Sequence, residues 1–102
     1  MELKPGMRLQ STVCRSEVIV VRTPTTDVDL RCGGAAMAPI DGGIEPYGPV
    51  AASHARGTAI GKRYADSGSG LEVLCTRAGE GSLSLADEPI PAKAAKSLPS
   101  SD

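Results

Sequence analysis

Six residues recur at a fixed spacing in one ungapped stretch of the chain: Gly6/Gly61, Arg8/Arg63, Glu17/Glu72, Val18/Val73, Arg22/Arg77 and Leu30/Leu85. Leu9/Tyr64, Ile19/Leu74 and Val28/Leu83 agree in character at the same spacing of 55 (64 − 9). Side chains alternate across a strand, so a repeat that keeps its apolar positions keeps the face each strand buries, and the pattern predicts one β unit written twice. The copies differ where chemistry could reside. Cys14 and Cys32 of the first copy align with Ser69 and Asp87 of the second, so any site built on those cysteines exists once, in the N-terminal half.

The strands are legible locally. Met7 to Val13 and Glu17 to Arg22 read as extended, the latter through the β-branched run Val18-Ile19-Val20-Val21, which suits a central strand. Thr23-Pro24-Thr25-Thr26-Asp27 carries turn chemistry, and Val28-Asp29-Leu30-Arg31 alternates again, which predicts a hairpin. Thr58 to Tyr64, Leu71 to Arg77 and Ser82 to Ala86 repeat the scheme, with Ala78-Gly79-Glu80-Gly81 as the second turn. The expected architecture is all-β with little helix: two pseudo-repeated β-hairpin units, about 6–30 and 61–85, in one small barrel- or sandwich-like domain. That domain spans 1–90, with repeats at 1–37 and 58–90 joined by a Pro/Gly/Ala-rich linker over 38–57 that includes Gly42, Gly43 and Pro46. Residues 91–102, with Lys93 and Lys96, read as a flexible tail.

Composition narrows the function classes. The 102 residues include no Phe or Trp and only two Tyr, so the core must be aliphatic, and self-association into a homo-oligomer is a ready way to cover more apolar surface. A net charge of −1 with scattered basic residues lacks the electrostatic footprint of a nucleic-acid binder, and the near-absence of aromatics removes base-stacking platforms. No stretch has the length of a membrane span and Met1-Glu2-Leu3-Lys4-Pro5 is not a signal peptide, so a cytoplasmic protein with its three cysteines reduced is expected.

Cys14, Val18-Ile19-Val20-Val21, Leu30-Arg31-Cys32-Gly33-Gly34 and Met37 together resemble the desulforedoxin family and the N-terminal domain of desulfoferrodoxins. In that family a CxxC pair opens a β-hairpin, a second cysteine pair followed by Gly closes it, a Met lies a few residues on, and four thiolates hold one iron. Cys14 matches the second cysteine of the opening pair, Cys32 the first of the closing pair, Gly34 the glycine and Met37 the methionine. Ser11 and Gly33 stand where the other two cysteines belong. The likeness covers residues 6 to 38, and the two-fold dimer of the family suits a chain that carries the unit twice.

The resemblance makes Cys14 and Cys32 candidate ligands for iron or zinc, with Cys75 or His54 completing the set, or a carboxylate such as Asp27 or Asp29. Against it, two thiols fall short of a tetrahedral set, Cys75 falls inside a strand at the position of Val20, and His54 falls in the linker. Without metal, Cys14 and Cys32 become neighbouring buried thiols or a reversible disulfide, and Cys75 a core residue. Other signals are weaker. Ser53-His54 beside Arg56 has nothing to orient a triad, and neither Gly33-Gly34 nor Gly79-Glu80-Gly81 runs into a helix with the lysine of a phosphate loop. Glu17 and Glu72 each have an Arg five residues on, which fits ion pairs across a two-fold axis or with Arg8 and Arg63. The leading expectation is a non-catalytic accessory protein without a cofactor that binds a protein partner or itself. The alternative is a metal or redox protein using Cys14 and Cys32, with a cysteine nucleophile as a third class.

Overall fold

The computed structural model describes residues 2–40 and 48–93. Gly42, Gly43 and Pro46 of the expected linker and Lys96 of the expected tail lie outside the described residues. Among the described residues nine short strands follow one another: β1 (Arg8–Gln10), β2 (Glu17–Arg22), β3 (Leu30–Cys32), β4 (Ala35–Ala36), β5 (Ala38–Pro39), β6 (Arg63–Ala65), β7 (Glu72–Arg77), β8 (Leu83–Leu85) and β9 (Glu88–Pro89). A 3-10 turn at Ala52–His54 precedes β6. The fold is all-β and sandwich-like. A five-stranded antiparallel sheet ordered β5-β1-β2-β7-β6 faces a four-stranded one ordered β4-β3-β8-β9, and neither closes into a barrel.

The repeat in the sequence is a repeat in the hydrogen bonding. Gly6 N–H bonds Val20 O and Gly61 N–H bonds Cys75 O, both at 2.8 Å. Ser11 N–H bonds Ser16 O and Asp66 N–H bonds Leu71 O, both at 2.9 Å. Gly6 and Gly61 have φ of 80° and 81°, a left-handed conformation that glycine adopts at least cost, which gives their identity a backbone cause. β2 pairs with β7 around Ile19↔Leu74, two residues related by the spacing of 55 (74 − 19), so the local two-fold axis passes between them. Register slips on either side leave Thr76 and Val21 unopposed, and these two bulge positions are themselves related by the repeat.

Pairing corrects the expected hairpins. β2 and β3 do not pair; each half instead contributes one hairpin to each sheet, β1–β2 and β3–β4 in the first half, β6–β7 and β8–β9 in the second. Thr23–Asp27 and Ala78–Gly81 carry the chain between sheets. The repeat also changes spacing there. Seven residues (23–29) separate β2 from β3, but five (78–82) separate β7 from β8, so β3 superposes on β8 at a spacing of 53. Met37 N–H to Leu30 O and Ile90 N–H to Leu83 O are the matching bonds (90 − 37 = 83 − 30 = 53). The structural counterpart of Cys32 is therefore Leu85, and Leu30 and Leu85 face each other across β3–β8.

Between the sheets, Leu9, Val18, Val20, Leu30, Leu71, Val73 and Leu83 are buried together with Cys14, Cys32 and Cys75. The segment beyond Ile90 does not run free at once. Ala65 N–H bonds Pro91 O and Lys93 N–H bonds Arg63 O, so residues 91–93 line the edge of β6. Among the described residues no helix is long and apolar enough to cross a membrane.

Candidate functional site

Cys14 and Cys32 reach the same point from opposite sheets. Cys14 sits in the loop 11–16 between β1 and β2, and Cys32 ends β3. The loop is shaped by Ser11, whose Oγ accepts the backbone N–H groups of Val13 at 3.1 Å and Cys14 at 3.0 Å. Asp66 does the same work in the second half, its Oδ2 accepting Ser69 N–H at 2.8 Å. This turn needs an acceptor three residues before its last member, which is why Ser11 and Asp66 can both hold it.

The two sulfurs lie 3.8 Å apart, and all three cysteines are free and buried. The Cys14 thiol donates to Ser16 Oγ at 3.3 Å, and Gly81 N–H, from the second half, donates to Cys14 Sγ at 3.4 Å. Gly81 approaches so closely that a Cβ on it would stand 2.8 Å from Gly33 Cα and 3.1 Å from Cys32 Sγ. A side chain there would displace the pair.

The environment separates the two acidities. Burial pushes the Cys14 thiol up, but hydrogen bonds from Ser11, Ser16 and Gly81 to its sulfur outweigh that and bring its pKa down to about 7. Deeper burial, followed by repulsion from the Cys14 charge, pushes Cys32 up to about 12, with Ser16 and Ser11 offsetting only part. Such a pair comprises one thiolate poised near neutrality and one thiol that holds its proton.

The other sequence candidates divide. Cys75 is buried within β7, where its thiol donates to Arg77 O at 3.1 Å, and burial raises its pKa. His54 is buried in the 3-10 turn with its Nε2 4.0 Å from Asp87 Oδ1, and its backbone O accepts Ser82 N–H. Asp29 is held by Arg31 at 2.8 Å. Among the described residues no group of three or more His, Cys, Asp or Glu side chains converges as a metal site. Glu17 meets Arg77 at 3.5 Å across β2–β7, the pairing expected across the two-fold axis, whereas Glu72 takes Arg63 and Lys93, each at 3.2 Å.

Ser16, Thr58 and Gly81 join the site in the folded structure alone. Ser16 bonds Thr58 across 42 positions and Cys14 meets Gly81 across 67, separations that carry no local signal. Comparison with protein-family models, with curated proteins and with solved structures returned no match.

Proposed function

We propose that the protein is a thiol–disulfide redox protein on a desulforedoxin-like scaffold, in which Cys14 and Cys32 cycle between dithiol and disulfide. The observation that carries this is the 3.8 Å sulfur separation within one cluster that ionises Cys14 and keeps Cys32 protonated. The redox alternative thus moves ahead of the accessory-protein reading, because a hydrogen-bonded dithiol is chemistry and an exposed edge is only opportunity.

The step balances with a low-molecular-weight disulfide as oxidant. The Cys14 thiolate attacks one sulfur of the disulfide, forming a mixed disulfide and releasing one thiolate. Cys32 loses its proton to that leaving thiolate and attacks Cys14 Sγ, which expels the second thiolate to be protonated by solvent. Two electrons pass from the cysteines to the oxidant. Cys14 is the attacking group because a thiol with a pKa near ambient pH combines thiolate fraction with nucleophilicity, and Cys32 resolves because it is nearest.

The test is titration against a glutathione redox buffer, read by peptide-resolved mass spectrometry. A reversible Cys14–Cys32 disulfide, lost in Cys14→Ser and Cys32→Ser, is the expected result; stable glutathione adducts with no internal disulfide would sink the reading. A metal site is the second reading, favoured by one measurement. Four thiolates about 2.3 Å from a tetrahedral metal stand about 3.8 Å from one another, the separation found here. Stoichiometric iron or zinc in protein purified under reducing conditions, absent from Cys14→Ser, would select it.

A further inference from the structure

Cys14 does not stand alone on Ser16. Ser16 is fully buried, and its Oγ hydrogen-bonds Thr58 Oγ1, which in turn accepts Gly79 N–H at 3.2 Å. Thr58 is itself 6% exposed and joins Gly79 in an isolated bridge, so the hydroxyl pair is fixed by backbone at its far end. Gly79 packs so tightly here that a Cβ on it would fall inside van der Waals contact of Ser16 Oγ and Ser16 N. The chain Gly79–Thr58–Ser16–Cys14 therefore crosses from one half of the protein to the other without room for water between its members.

Proton counting gives the chain two senses. With Cys14 as a thiol, its S–H donates to Ser16 Oγ, which leaves the Ser16 proton for Thr58. Once the sulfur is an anion it has no proton to give and must accept. Ser16 then turns its O–H to the sulfur, and its oxygen takes the proton of Thr58, whose own oxygen is already held by Gly79 N–H. Each hydroxyl has one proton, so Ser16 can serve the thiolate without leaving its oxygen unsatisfied only if Thr58 supplies a donor.

We infer that Thr58 is a positioning residue for the Cys14 nucleophile, acting through Ser16 by a hydroxyl chain that reverses direction when Cys14 ionises. The inference rests on the reading of Cys14 as the reactive thiol. The titratable groups facing Cys14 are the thiols of Cys32 and Cys75, and both resist ionisation, so its response to pH is set by the hydrogen-bond donors around its sulfur, Ser11 first, then Ser16 and Gly81. Thr58 takes no part in the covalent step.

The experiment is the pH profile of iodoacetamide alkylation at Cys14, read on its own peptide. Thr58→Val, which keeps shape and removes the hydroxyl, is expected to slow alkylation about tenfold at pH 6 and to leave it unchanged near pH 10, where the thiolate forms regardless. Thr58→Ser should restore the wild-type profile. Ser16→Ala should give the same displacement, and Thr58→Val should add nothing in that background. A profile unmoved by Thr58→Val, or moved equally with and without Ser16, overturns the inference; Thr58→Ala carries the same test if Thr58→Val does not fold. The wild-type profile separates this from the broader reading: an ordinary thiol midpoint at Cys14 would remove the redox proposal itself, whereas a midpoint near 7 insensitive to Thr58 removes only the positioning role.

Discussion

The two halves of the protein diverge most at single residues, and two of these divergences have measurable consequences. The β3–β4 hairpin turns on Gly33 and Gly34, both at positive φ (67° and 87°), as a type I′ turn requires. Its counterpart turns on Ala86 and Asp87, and Ala86 holds φ at 52°, a region where a Cβ is strained. Ala86 is exposed, so nothing is lost by removing the methyl. Ala86→Gly should therefore stabilise the fold by about 0.5–1 kcal/mol, a rise of several degrees in Tm by calorimetry. At the thiols, Cys14 alkylation should climb through a midpoint near 7 while Cys32 stays silent to pH 9 and above, the order set by hydrogen bonds on one sulfur and burial of the other. Equal labelling of both at pH 8 would contradict that order. A third divergence, Ser11 against Asp66, is neutral for the turn, since either side chain accepts the same N–H.

Among the elements, the edge of β6 depends on an ion cluster rather than on apolar cover. Glu72 is 8% exposed and accepts Arg63 and Lys93, so its carboxylate ties β7 to β6 and to residues 91–93 beyond it. Burial pushes the Glu72 carboxyl up, but the hydrogen bonds and charges of Lys93 and then Arg63 outweigh it and hold it below the usual carboxylate range. A carboxyl with a folded pKa below its unfolded value of about 4.3 contributes stability that is complete above that value and is lost as pH falls through the lower folded one. Glu72→Gln should cost roughly 1 kcal/mol at pH 7, a modest sum because both cations are half exposed, and the difference from wild type should shrink in urea titrations as pH is lowered below about 4. A deficit that persists in acid would mean lost packing, not lost charge. How far such elements were legible follows from range. Strands with alternating or β-branched residues, such as Val18–Val21, announce themselves locally. Their partners do not: Thr23–Asp27 has the composition of a hairpin turn, yet it crosses between sheets, because β2 gains more by burying Val18 and Val20 against β7 than by pairing with a three-residue β3. The change of spacing from 55 to 53 is equally invisible until the register is known. Cys14 and Cys32 were legible as a pair because the first copy carries both and the second neither, whereas Thr58 and Gly81 enter the site only through folding.

At the scale of the whole molecule, the dithiol lies where the two sheets and the two halves meet. Cys14 belongs to the loop 11–16 of the five-stranded sheet, Cys32 to the four-stranded sheet, and Gly81 closes over both from the second half. A Cys14–Cys32 disulfide would therefore be a cross-link between layers. The bond would join residues 18 positions apart, and closing a loop of that size lowers the entropy of the unfolded chain by an amount equivalent to about 3 kcal/mol. Against this stands whatever shift brings the sulfurs from 3.8 Å to bonding distance, and the loop 11–16 can yield where the paired β3 cannot. The oxidised protein is accordingly expected to melt at least about 5 °C above the reduced one, with the gap abolished in Cys32→Ser. The same linkage sets the redox potential: a disulfide that stabilises the fold is itself stabilised by the fold, and becomes harder to reduce. A lower melting temperature on oxidation would show the opposite coupling, with Gly81 and Ser16 losing their thiolate acceptor at greater cost than the cross-link returns, and would make reduction the event that locks the two halves together.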